Sequence, residues 1–202
     1  MRNFIFILCF FSLMDMRAQG KIDSTKFRPH YMGMMLSGMQ IGCNDCTLGK
    51  RLTASAYFIN GVQLTKRFSV GVGIGADGYD HWKTMPLFLH LSERISGNKN
   101  GLLIQLNAGH AWAWWDVNEN NLPNFNQQGG VMIHPAITYY VNLEKWKIFF
   151  SVGFKTQVAS YSYRYDYRYT VSPLIGNKDT FSEYTVKNDL NRAVFQIGFG
   201  WR

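Results

Sequence analysis

Eight stretches of the chain alternate apolar residues with small or polar ones, with a period of two. A β-strand sends successive side chains to opposite faces, so this period predicts strands. The clearest is "FSVGVGIGADGY", 68–79, where Phe68, Val70, Val72, Ile74 and Ala76 oppose Ser69, Gly71, Gly73, Gly75 and Asp77. In 102–115, Leu102, Ile104, Leu106, Ala108, Trp112 and Trp114 oppose Gln105, Asn107, Gly109, Ala111 and Ala113. The segment 147–158 separates Ile148, Phe150, Val152 and Phe154 from Ser151, Gly153, Lys155 and Gln157. The segments 85–95 and 131–141 alternate in the same way, with Leu87, Leu89 and Leu91 on one face of the former and Phe88, His90 and Arg94 on the other. The last, "AVFQIGFGWR" at 193–202, sets Phe195, Ile197, Phe199 and Trp201 against Gln196, Gly198 and Gly200. Two are less regular. Asn60 interrupts the apolar face of 53–65, and the phase of 30–42 slips around Met34 and Met35, which predicts a β-bulge there.

The connections alternate in length. Short ones, 66–67, 96–100 and 142–145, face longer ones, 43–52, 116–128 and roughly 159–189, with 78–84 the exception. Tight turns on one side and long loops on the other are the pattern of a transmembrane barrel, although a soluble eight-stranded barrel shares some of it. The polar faces discriminate. A soluble barrel turns Lys and Glu outward, whereas here the polar face is mostly Gly, Ser, Asn and Gln, which suits a narrow lumen. The predicted fold is all-β: an eight-stranded antiparallel up-and-down transmembrane β-barrel over 30–202, its last strand pairing with its first. Closure is required, because an open edge in hydrocarbon leaves backbone groups unpaired. Phe68, Trp146 and Trp201 near the tight turns, and Tyr79, Trp82, Trp112, Trp114 and Trp115 near the loops, predict two aromatic girdles.

Composition adds a targeting signal. Arg2 followed by the apolar run 4–14 and the small residues of "RAQG" reads as a signal peptide over 1–20, cleaved after Ala18 or after Gly20. The run is too short to span a bilayer as a helix. A short segment, 21–29, then leads into the barrel. Removing 1–18 lowers the formal charge from +8 to +7. Export argues against nucleic acid as the partner of this basic balance, and anionic lipid head groups fit it better.

With the signal, the eight strands and the aromatic terminal strand in hand, the chain resembles the small outer-membrane β-barrel proteins of Gram-negative bacteria, the OmpA/OmpX-like barrels. "GVGIGADGY", "GGVMIHPAITY" and "FSVGFKTQ" have that strand texture. The resemblance spans about 29–202 and implies the Gram-negative outer membrane as location, with outer-membrane lipids and lipopolysaccharide as surroundings. It also implies that Phe195, Ile197, Phe199 and Trp201 form a sorting signal read by the barrel assembly machinery. Arg202 departs from the usual aromatic end.

Candidate chemistry is sparse. Cys43 and Cys46, in "CNDC", suit a small loop-closing disulfide; a zinc site lacks a second pair and a redox pair lacks its βαβ setting. Of His30, His81, His90, His110 and His134, only His110 has a suggestive place, on the lipid-facing phase, but no Ser lies near it as acyl chemistry requires. No catalytic residue, cofactor or metal is expected. "YSYRYDYRY" alternates Tyr161, Tyr163, Tyr165 and Tyr167 with Arg164 and Arg168. It reads either as an arm that binds a surface protein or glycan, or as a strand that overshoots the bilayer with its tyrosines packed on a neighbour. The functional expectation is a non-enzymatic surface protein with a structural, adhesive or interaction role. The alternative is a lipid-modifying enzyme or a small-ligand carrier or transport barrel.

Overall fold

The computed structural model describes residues 27–43, 51–79, 82–96, 100–115, 126–143, 145–168 and 179–201. Residues 1–20, the expected signal, lie outside these. Eight strands follow in order: β1 (His30–Cys43), β2 (Arg51–Gln63), β3 (Phe68–Tyr79), β4 (Trp82–Ser96), β5 (Gly101–Trp115), β6 (Asn126–Leu143), β7 (Trp146–Arg168) and β8 (Asp179–Trp201). Each pairs with its sequence neighbour, and β1 pairs antiparallel with β8, so the sheet closes on itself. Every predicted strand is present.

The tight turns are built by local chemistry. Between β2 and β3, Leu64 N and Thr65 N donate to Phe68 O (2.9 and 3.2 Å). Thr65 Oγ1 accepts from the backbone N–H of Phe68 at 2.9 Å, and Gln63 Nε2 donates to Thr65 O at 3.0 Å. Short side-chain oxygens that satisfy nearby backbone groups favour such turns over longer loops.

Burial follows the period of two, with bulky apolar side chains outside. Phe195, Ile197 and Phe199 are 47%, 56% and 55% exposed, while Val194 and Gln196 on the same strand are buried. The register joins the outward residues into rows around the wall: Phe195 lies beside Val152, and Ile137 is flanked by Val152 and Ile104. Such a band is far too large for a surface facing water.

Three expectations need correction. The β1 pairings with β2 and β8 run without a register shift through Met34 and Met35, so no bulge lies there. The alternation in the sequence slips because Met34 and Leu36 are apolar yet point inward, where they help form a buried cluster with Ile59, Phe88 and Phe149. Register shifts occur instead at Arg94/Ser96 and Gly129/Met132. Tyr79 and Trp82 are not girdle residues: both are buried in the lumen, packed with Ala113, Ala159 and Leu190. Finally, most of 159–189 is not a loop, because β7 and β8 run through it to Arg168 and from Asp179. Of the rings near the tight turns, Trp146 and Trp201 face out and meet edge to face at 6.4 Å between centroids.

Candidate functional site

The middle of the lumen is a charged cluster. Asp77 and Lys155 occupy inward positions on β3 and β7, and their side chains meet at 2.6 Å, both fully buried. Tyr57, inward on β2, bridges them: its hydroxyl donates to Asp77 Oδ1 at 3.0 Å and accepts from Lys155 Nζ at 3.0 Å. Lys155 Nζ also lies 4.9 Å from the centre of the Tyr79 ring, with the Arg192 guanidinium at 5.2 Å from the same ring. A charge buried this deeply is tolerated only when paired and hydrogen-bonded, and this one has a carboxylate, a hydroxyl and an aromatic face. Space for Tyr57 comes from Gly75 on the neighbouring strand, where any Cβ would run into the ring.

Neutral polar pairs fill the levels around it. Tyr79 OH donates to Gln157 Oε1 (3.2 Å), Gln196 Nε2 to Ser55 Oγ (3.2 Å), and Gln40 Nε2 to Gly78 O (2.9 Å). Thr138 Oγ1 donates to Ser151 Oγ at 2.9 Å. His90 Nδ1 lies 2.7 Å from Asn107 Oδ1, and Asn107 Nδ2 lies 3.4 Å from His134 Nδ1. One amide thus accepts from the first imidazole and faces the second as a donor. With Met34, Leu36 and Phe149 at the tight-turn end and Trp82 at the loop end, side chains occupy the interior from one mouth towards the other.

The remaining sequence candidates scatter. His110 faces outward in a row with Leu87 and Val131, its ring 5.9 Å from that of Trp112. His30 Nδ1 sits 3.4 Å from Arg28 O, and His81 lies outside the described residues. No group of three or more metal-ligating side chains occurs among the described residues. Cys43 is the last residue of β1, paired with Asn191, and Cys46 lies outside the described residues, so their bond does too. Asn60, the polar interruption of β2, points outward and accepts from Tyr31 OH at 2.5 Å. A hydroxyl on the adjacent strand thus satisfies an amide among apolar neighbours.

The tyrosine-rich segment divides in two. Tyr161 belongs to the barrel, its ring 6.1 Å from that of Trp82 at the loop end of the lumen. Beyond it, Tyr163, Arg164, Tyr165, Tyr167 and Arg168 continue β7, paired with β8 as far as Arg168 opposite Asp179. Among the described residues, β6 pairs with β7 as far as Ser162, and β1 with β8 as far as Asn191. On β8, Phe195, Ile197 and Phe199 face outward, and Trp201 covers Gly33 across the closing seam and approaches Phe58 at 6.0 Å.

A closed eight-stranded antiparallel barrel with an apolar exterior and a polar, filled interior is a restricted architecture. Among solved structures it matches Neisserial surface protein A with a TM-score of 0.54 and 8% identity, over 87% of this chain and 99% of that one. It also matches the outer membrane protein OprG from Pseudomonas aeruginosa with a TM-score of 0.54 and 12% identity, over 84% of this chain and 94% of that one. The fold is that of a small outer-membrane β-barrel. No family model and no curated protein matches the chain by sequence. What this barrel shares with those structures is the closed wall.

The charged cluster was half legible. Asp77, Lys155 and Gln157 fall on the inward phase of their segments, but nothing in the sequence pairs residues that far apart. Arg192 was missed because the apolar alternation begins one residue later; the inward phase of Val194 and Gln196, extended backwards, reaches it.

Proposed function

We propose that this protein resides in the outer membrane of a Gram-negative cell as a non-enzymatic surface protein, and that the β7–β8 hairpin is its interaction arm. The observation that carries this reading is the unequal pairing of β7 and β8. Among the described residues they stay paired for six residues beyond Ser162, the outermost partner of β6, and at about 3.3 Å per residue this stretch is roughly 20 Å long. A ribbon that long has no use in lipid, and its sequence, rich in tyrosine and arginine, suits recognition of a surface protein or glycan. The apolar exterior supports the membrane location, with lipid and lipopolysaccharide as its surroundings. The outward face of Phe195, Ile197, Phe199 and Trp201 suits recognition by the assembly machinery. The filled lumen favours a binding role over transport, and the scattered histidines favour it over lipid chemistry.

The test is display on intact cells. Cells carrying the barrel should acquire binding on a glycan array or aggregation with one another, and replacing 163–184 by a two-residue Asn-Gly turn should abolish it. The same variant should still fractionate with the outer membrane. Equal binding by the full-length and shortened proteins would remove the arm from the function. Release of acyl chains from lipopolysaccharide by the refolded barrel would replace the reading with an enzymatic one.

A further inference from the structure

We propose that the tight-turn mouth of the barrel is a binding site for a small oxyanion, the carboxylate or phosphate group of a ligand on the inner side of the membrane. The site is independent of the arm and stands or falls separately from it. A recess at this mouth is lined by three cationic side chains, Arg67, Arg94 and Lys147, with Ser69 and Ser92 beside them. No carboxylate is among the described residues that line it. Arg67 is exposed at the rim, whereas Arg94 and Lys147 are half-buried. Arg94 and Lys147 both lie against the Tyr140 ring, at 5.4 and 5.7 Å from its centre. An oxyanion seated in the recess would meet both of these cations.

The cluster is positioned by the fold. Arg94 N donates to Arg67 O at 2.8 Å, tying the β2–β3 turn to β4. Ser69 and Ser92 are cross-strand partners, and both are buried. Arg94 lies two residues after Ser92 on the same inward face of β4, and the register shift between Arg94 and Ser96, with Ile95 exposed, follows it. Arg94 Nε is buried without a hydrogen-bond partner. A guanidinium N–H held away from water in this way is ready for the paired acceptor geometry that carboxylates and phosphates present. The seryl hydroxyls add neutral donors suited to the same oxygens. The neighbouring polar side chain is already committed elsewhere, since Gln63 caps the turn carbonyls Thr65 O and Lys66 O at 3.0 and 3.3 Å.

The test uses the full barrel, refolded in detergent micelles and labelled with nitrogen-15 at arginine. Inorganic phosphate and acetate are titrated separately, against sodium chloride at matched ionic strength. The Arg94 Nε–H signal is expected to shift saturably in the millimolar range with at least one of the two anions. Saturation by phosphate alone assigns a phosphate-bearing ligand, and by acetate alone a carboxylate-bearing one. Arg94→Gln should raise the dissociation constant at least tenfold, read from the remaining arginine signals. Arg67→Gln, at an exposed turn position that leaves folding intact, should raise it at least threefold. Shifts that grow linearly and equally with all three salts would overturn the proposal, as would saturable binding unchanged in Arg67→Gln and Arg94→Gln.

Discussion

Lys155 shows how a residue can be expensive and indispensable together. Its ammonium is buried against Asp77, Tyr57 and Tyr79, so its removal leaves a carboxylate enclosed without its cation. Lys155→Met should therefore cost about 3–5 kcal/mol, as loss of one partner from a buried pair does. Lys155→Met combined with Asp77→Leu should recover most of that, because no charge is then left alone. Urea titration of the barrel refolded in lipid vesicles, followed by tryptophan fluorescence, measures both; a single variant within about 1 kcal/mol of the parent would mean that water reaches the cluster. Gly75 supports the same cluster by absence. Gly75→Val forces its side chain into the Tyr57 ring and should cost about 1–3 kcal/mol by overpacking, measured in the same titration.

At the scale of elements, β8 has two parts with different duties. Its last turn-proximal stretch faces lipid through Phe195, Ile197 and Phe199, with Phe195 set between Val152 and Met39. Phe195→Arg should destabilise the refolded barrel by about 2–4 kcal/mol, since a charge on the lipid face is costly in proportion to its depth. Phe195→Leu keeps that face apolar, so a similar loss from both substitutions would contradict the assigned face. The outer stretch of β8, with 163–168 of β7, forms the ribbon. Shortening it to an Asn-Gly turn should leave heat-modifiable gel migration and urea midpoint unchanged, because the barrel wall closes below it through β1 and β8. A loss of assembly would show that the ribbon nucleates the wall.

For the whole molecule, the filled lumen predicts a closed barrel. Large side chains, among them Trp82, Arg192, Tyr57, Tyr79 and Lys155, are fully buried inside it. An eight-stranded wall leaves room for side chains and little else. Planar bilayers holding the protein should show no conductance steps at the salt concentrations used for porins; stable steps of uniform size would show that the cluster opens. Closure also bears on what was legible beforehand. The outward band was readable because lipid demands the same chemistry at every position. The lumen was not, because it is filled by size and by pairing. Met34 and Leu36 point inward, which an expectation of a uniformly polar lumen cannot anticipate.

The sequence by itself determined the strands, their faces, the alternation of tight turns with longer connections and thus the closed barrel. Each of these depends on neighbours within a few residues and on the solvent each face meets. The tertiary structure decided what lies far apart in the chain: Asp77 against Lys155, Trp82 against Tyr161, and Arg67, Arg94 and Lys147 around one mouth. It also showed that 159–189 is largely paired strand, as ladder partners 11 to 29 residues apart must find each other before either shows a pattern of its own. Register and closure bring such residues together, and a period of two says which face a side chain takes but not whom it meets there.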